Sequence, residues 1–190
     1  MKLGRVLFIG LIYGLGFMVV KGLFPEPFAL LLFQNVDSSE GNLTRLALVY
    51  MGSGLLAGLI SAPVFAGFLS YLRRSHERSG AEPDNRGNSY GMRFTLSVGF
   101  GVMMGVVSGI LILIAYATGI LPAGGVLDPL RLIGASNFSP GVPLLIAWTI
   151  FRDILPAGLA GLFLAPLGGD MLQRLYAPRT PLRKEYDWDG

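Results

Sequence analysis

The sequence predicts an all-α integral membrane protein, with four transmembrane helices arranged as two like-oriented hairpins and both termini in the cytoplasm. Three observations lead there. Hydrophobic residues make up 52% of the 190 residues and charged ones 14%, against about 25% charged in an ordinary soluble domain. The apolar residues run in long unbroken stretches, giving a mean hydropathy of +0.58. Arginine and lysine gather at the ends of those stretches, predominantly on one side.

The first run is Val6 to Val20, extending past Lys21 to Phe24, after a charged start, Met1-Lys2-Leu3-Gly4-Arg5. Val19-Val20-Lys21 offers no pair of small residues for cleavage, so the run reads as a retained span and not a removed signal. The second, Leu46 to Leu72, is free of charge between Arg45 and Arg73. The third follows Arg93 and stays uncharged to Asp128, with Pro122 predicting an end near Leu121. Both exceed the roughly 20 residues that cross a hydrocarbon core. For the fourth, two registers fit. One runs from Pro143 to Leu167 with Arg152 and Asp153 inside it. The other runs from Ile154 to Tyr176, with Pro143 to Asp153 along the outer interface. The second is favoured, because Trp148, Arg152 and Asp153 suit headgroup level.

Orientation follows from the basic residues. Lys2 and Arg5, Arg73 to Arg93, and Arg174 to Lys184 fall on one side. Lys21, Arg45 and Arg131 fall on the other, with Arg152 if it surfaces. The positive-inside rule then makes the richer side cytoplasmic. The implied organisation is a first hairpin over 1–72 with an outer loop 25–44, a cytoplasmic linker 73–93, a second hairpin over 94–176 with an outer loop 122–153, and a cytoplasmic tail 177–190.

A repeat lies inside the apolar runs. Leu56-Ala57-Gly58-Leu59 with Ala62-Pro63 returns as Leu159-Ala160-Gly161-Leu162 with Ala165-Pro166, and Leu69 and Leu72 align with Leu172 and Leu175. The loops rhyme as well: Gly22-Leu23-Phe24-Pro25 against Gly119-Ile120-Leu121-Pro122. Two hairpins related by an axis along the membrane normal would account for both. Each span also carries small residues one turn apart: Gly10 and Gly14; Gly54 and Gly58; Gly101, Gly105 and Gly109; Ala157 and Gly161. Such stripes let helix backbones approach where no hydrophobic effect drives association. The Gly101–Gly105–Gly109 stripe is the candidate for the closest crossing. Pro63 and Pro166 sit at matching depth inside helices, where each removes a backbone hydrogen bond and predicts a kink.

Chemistry is sparse. Cysteine is absent and His76 is the one histidine, which excludes disulfides, iron–sulfur clusters and a doubly histidine-ligated haem. No cofactor or metal is expected: the outer carboxylates Glu26, Asp37, Glu40 and Asp128 are too few and too scattered for a metal cluster. His76 beside Glu77 lacks the companions of a catalytic arrangement, and the tail aromatics Tyr186 and Trp188 alternate with acids. Asn42-Leu43-Thr44 matches a glycosylation sequon, a common chance pattern. The pI near 9.4 reflects span ends and not a basic groove, so nucleic acid is not an expected partner. The expected partners are the lipid bilayer and other membrane subunits or a second copy.

Two functions remain open. The first is a non-enzymatic helical-bundle subunit of a larger complex or homo-oligomer in the cytoplasmic membrane. The alternative is a small transporter or channel, with Pro63, Pro166, Arg152 and Asp153 around the pathway. Tyr13, Ser53, Ser61, Ser108 and Thr149 are the few polar side chains available to line it.

Overall fold

A computed structural model describes residues 3–23, 40–78, 90–120 and 142–176, and it is helical throughout its regular parts. The helices are α1 (Leu3–Leu23), α2 (Glu40–Arg78), α3 (Tyr90–Ala117) and α4 (Val142–Tyr176). Each contains a stretch long and apolar enough to cross a membrane: Leu3–Leu23, Leu48–Ser75, Tyr90–Ala115 and Ile150–Leu175. The nineteen glycines in these helices would each disfavour a helix in water by up to ~1 kcal/mol. In hydrocarbon an unpaired backbone amide is far more costly, and a helix pairs every one internally.

Neighbouring helices run antiparallel. Gly10 faces Gly58 and Ala62 while Gly14 faces Leu55, so α1 and α2 pass each other in opposite directions. In the same way Gly101 meets Ala157, Gly105 meets Ile154, and Gly161 meets Ser97 across the α3–α4 crossing. The bundle is a ring in the order α1, α2, α3, α4, with α1 also packed on α4 and α2 on α3. Arg5, Arg73, Arg93 and Arg174 therefore come together at one end.

The side-chain distribution is inverted relative to a soluble bundle. Along α1, Leu3, Leu7, Leu11, Leu15, Val19 and Leu23 form a ladder of exposed apolar side chains at every fourth residue. Phe68, Ile114 and Phe163 do the same on the other helices. Inside lie Lys21, Ser53, Ser61, Ser97, Ser108 and Asp153. Leucine outside and lysine inside is the arrangement that lipid requires. The apolar part of the core is aromatic at its centre: the rings of Tyr13 and Phe100 meet edge-on at 5.0 Å, and Phe65 lies 5.1 Å from Phe100.

The structure corrects several boundaries. α4 is one 35-residue helix with Arg152 and Asp153 a third of the way along it, and its stretch long and apolar enough to cross a membrane is Ile150–Leu175. Val142 to Asp153 is thus helical, and Glu40 to Thr44, including the sequon, opens α2. The linker narrows as well, because α2 continues to Arg78 (through His76) and α3 begins at Tyr90. α3 stops at Ala117, short of Leu121. The last i→i−4 bond runs from the Thr118 amide to the Ile114 carbonyl at 2.9 Å, and Gly119 follows at φ 72°, a left-handed glycine of the kind that ends helices. Glu26, Phe28 to Phe33, Asp37, Pro122, Asp128, Arg131 and the tail from 177 lie outside the described residues.

Pro63 and Pro166 are inside helices that continue past them, and both face outward. A third, Pro156 in α4, is buried. Lacking an N–H, it leaves the Arg152 carbonyl without its usual intrahelical donor, directly beside the charged pair.

Candidate functional site

Four helices each send one polar side chain to a single point. α1 supplies Lys21, α2 Ser53, α3 Ser108 and α4 Asp153, and all four are buried. The Lys21 ammonium donates to Asp153 Oδ2 at 2.8 Å, to Ser108 Oγ at 2.8 Å and to Ser53 Oγ at 2.9 Å. The Tyr50 ring caps it at 4.1 Å and the Phe17 ring stands 5.2 Å away. Lysine and aspartate side chains here have no exposed surface at all.

The helix geometry explains the convergence. On α1 the inward positions are Val6, Ile9, Gly10, Tyr13, Gly14, Phe17 and Lys21, the three-and-four spacing of one helical face. Lys21 is the last of them, 18 residues or ~27 Å along the axis from Leu3. Asp153 sits 21 residues, ~31 Å, from Arg174. The centre thus lies toward the end of the bundle opposite the arginines. α1 ends two residues later, at Leu23, while α2 begins thirteen residues ahead of Ser53 and α3 runs nine beyond Ser108.

The hydroxyl protons are already committed. Ser53 donates to the Tyr50 carbonyl at 2.7 Å, and Ser108 donates to Asp153 Oδ2 at 2.6 Å. The 3.0 Å approach of the two serine oxygens is then that of two acceptors sharing one cation. Asp153 Oδ1 has no hydrogen-bond partner. Its neighbour is Arg152, whose Nε is 3.7 Å away, an ionic contact beyond hydrogen-bonding reach. The Arg152 guanidinium lies 5.3 Å from the same Tyr50 ring that caps Lys21. Asp153 is therefore flanked by two cations.

A second polar layer lies deeper toward the arginine end. The Tyr13 hydroxyl and Ser97 Oγ are 2.6 Å apart, and Ser97 donates to the Gly161 carbonyl at 2.5 Å. Between the layers Phe17 on α1 and Phe100 and Met104 on α3 are fully buried. They make an apolar plug about 12 Å deep, the rise from Tyr13 to Lys21. At the rim, Arg93 donates to Gln173 at 2.9 Å and pairs with Asp170 at 3.3 Å, while Arg174 holds Asp170 at 2.6 Å.

The Arg152 and Asp153 side chains are thus buried among the helices. Ser53 and Ser108 join them; Tyr13 belongs to the second layer. Ser61 is buried with no hydrogen-bond partner, and the side chain of Thr149 is outside the description. The glycines divide cleanly. Gly10, Gly14 and Gly58 form the α1–α2 crossing, Gly54 lies against Met18, and Gly101, Gly105 and Gly161 form the α3–α4 crossing. Gly109 is buried. Sequence reasoning missed Lys21, which it counted among the outer loop charges, and the partners Tyr50 and Ser97. One signal was present: Lys21 keeps step with the inward face of α1. Among the described residues no three His, Asp or Glu side chains group to hold a metal ion.

Comparison with protein-family models, with curated proteins and with solved structures finds no match for this chain.

Proposed function

We propose that the protein is a small non-enzymatic transporter of the cytoplasmic membrane, working through the Lys21–Asp153 centre. One observation carries this reading. A complete ionic centre, assembled from all four helices, sits inside a bundle whose outer surface is apolar. Ionisable groups are expensive there, and their usual role is in a substrate or ion pathway. The scarcity of polar lining noted in the sequence weighs less once Ser53, Ser108 and Tyr50 are seen to meet at the charges. Two polar layers with an apolar plug between them are what a closed pathway requires.

The test is permeability. Liposomes holding the protein and an entrapped pH-sensitive dye should lose an imposed proton gradient faster than empty ones. Asp153→Asn, folded by circular dichroism, should return that rate to the empty-liposome value. Equal rates for the wild type and the variant would remove the centre from any transport role.

The second reading is a subunit of a larger complex or of a homo-oligomer. It is favoured by the α1 leucine ladder and by Gly67 and Gly99, whose outward faces meet nothing within 4 Å. Mass measurement in detergent separates a lone chain from an assembly.

Two finer readings accompany these. The arginine-rich end faces the cytoplasm by the positive-inside rule, and the hairpins descend from one duplicated unit. Support for duplication is that Gly58 and Gly161, aligned in the repeat, each press on the first helix of their own hairpin. The same alignment places Tyr50 opposite Asp153. The loop rhyme does not belong to it. Packing pairs Gly10 with Ser97, an offset of 87, whereas Gly22 and Gly119 differ by 97.

A further inference from the structure

We propose that the oxygen cage around the Lys21 ammonium is a monovalent-cation site, of potassium or ammonium size, which the lysine fills as a tethered and displaceable occupant. The inference rests on the transport reading and names its substrate class.

The cage turns oxygen lone pairs toward a cation. Ser53 has spent its proton on the Tyr50 carbonyl and Ser108 on Asp153, so both oxygens present lone pairs inward. Asp153 Oδ2 completes a set of three acceptors within 2.9 Å of one nitrogen. Asp153 Oδ1 is buried without a hydrogen-bond partner, 3.7 Å from Arg152 Nε. The Tyr50 face at 4.1 Å adds the ring quadrupole. The three acceptors match the three N–H donors of the ammonium, and a bare monovalent cation would meet the same three oxygens. An ammonium group and a potassium ion have nearly equal radii, so the spacing that holds one suits the other.

Exchange balances simply. Lys21 releases a proton to water and its neutral amine swings out of the cage. A hydrated monovalent cation sheds its water and binds the Asp153 carboxylate and the two serine oxygens. One positive charge leaves and one enters. The titratable and charged groups facing Lys21 are Tyr50 from α2 and Asp153 and Arg152 from α4; among the described residues α3 offers only Ser108. Of the two cations beside Asp153, only lysine can give up its proton, because arginine stays charged.

The first experiment empties the cage. Lys21→Met, purified in detergent, should show a melting temperature that rises and saturates with potassium or rubidium chloride. N-methylglucamine chloride should not raise it, and Lys21→Met/Asp153→Asn should show no difference between the salts. If Lys21→Met folds only with potassium throughout purification, that too supports the site. No cation-specific shift overturns it. Should the variant fold in neither salt, the wild type decides: external potassium should collapse an inward-acid pH gradient in proteoliposomes, and failure to do so overturns the proposal. If potassium neither stabilises nor exchanges but an Asp153-dependent proton leak persists, the cation site falls and the transport reading stands. Potassium stabilisation without any Asp153-dependent permeability would retain the site and remove the transport reading.

Discussion

Asp153 and Lys21 stand 132 positions apart in the chain and 2.8 Å apart in the bundle, and each makes the other tolerable in a low-dielectric interior. Removing one partner leaves an uncompensated buried charge, which costs about 3–5 kcal/mol, whereas replacing both with apolar residues of similar size is close to neutral. Lys21→Met and Asp153→Leu should each lower the denaturation midpoint in detergent. The double variant should be more stable than either single one. A double variant as damaged as the sum of the singles would mean that the two residues act separately. At this scale the sequence was half legible. Asp153 and Arg152 stood out because they interrupt an apolar run, while Lys21 did not, because it closes one. Hydropathy marks where a span ends, and a lysine two residues from that end looks like an anchor. What identified it was its helical phase: it falls one turn after Phe17 on the face that begins with Val6.

Between helices, the glycines decide how closely the backbones pass. A methyl group on Gly10 would stand 2.6 Å from the Gly58 carbonyl oxygen, and one on Gly105 would stand 2.6 Å from the Ile154 Cα. In each case the obstacle is backbone, which cannot rotate aside. Gly10→Ala or Gly105→Ala should therefore lose about 1–3 kcal/mol through overpacking. Gly67→Ala and Gly99→Ala meet nothing within 4 Å and should be neutral, or gain up to ~1 kcal/mol of helix propensity. Denaturant titration in one detergent measures all four; equal losses at the two classes would refute the seam assignment. The one-turn spacing announced these seams in the sequence, and the four apolar runs announced the helices. The fourth register was not readable, since a charged pair at a boundary and one inside a bundle leave the same trace. The decision lay in Lys21, a residue on another helix.

For the molecule as a whole, the order of layers matters more than any one contact. Charged rim residues Arg93, Asp170 and Arg174 lie at one end, followed by the Tyr13–Ser97 pair, the Phe17–Phe100–Met104 plug, and the Lys21–Asp153 centre. Composition foretold the apolar exterior, but a count of polar residues could not foretell that they are stacked in levels. The convergence of four helices on one point is the claim on which the functional reading depends. Because the chain contains no cysteine, it can be tested without background. Ser53→Cys/Ser108→Cys, oxidised in native membranes, should form an intramolecular disulfide, since the two hydroxyl oxygens are 3.0 Å apart. The outward pair Leu56→Cys/Ile110→Cys should not. Failure of the serine-site pair to cross-link while the outward pair does would contradict the account.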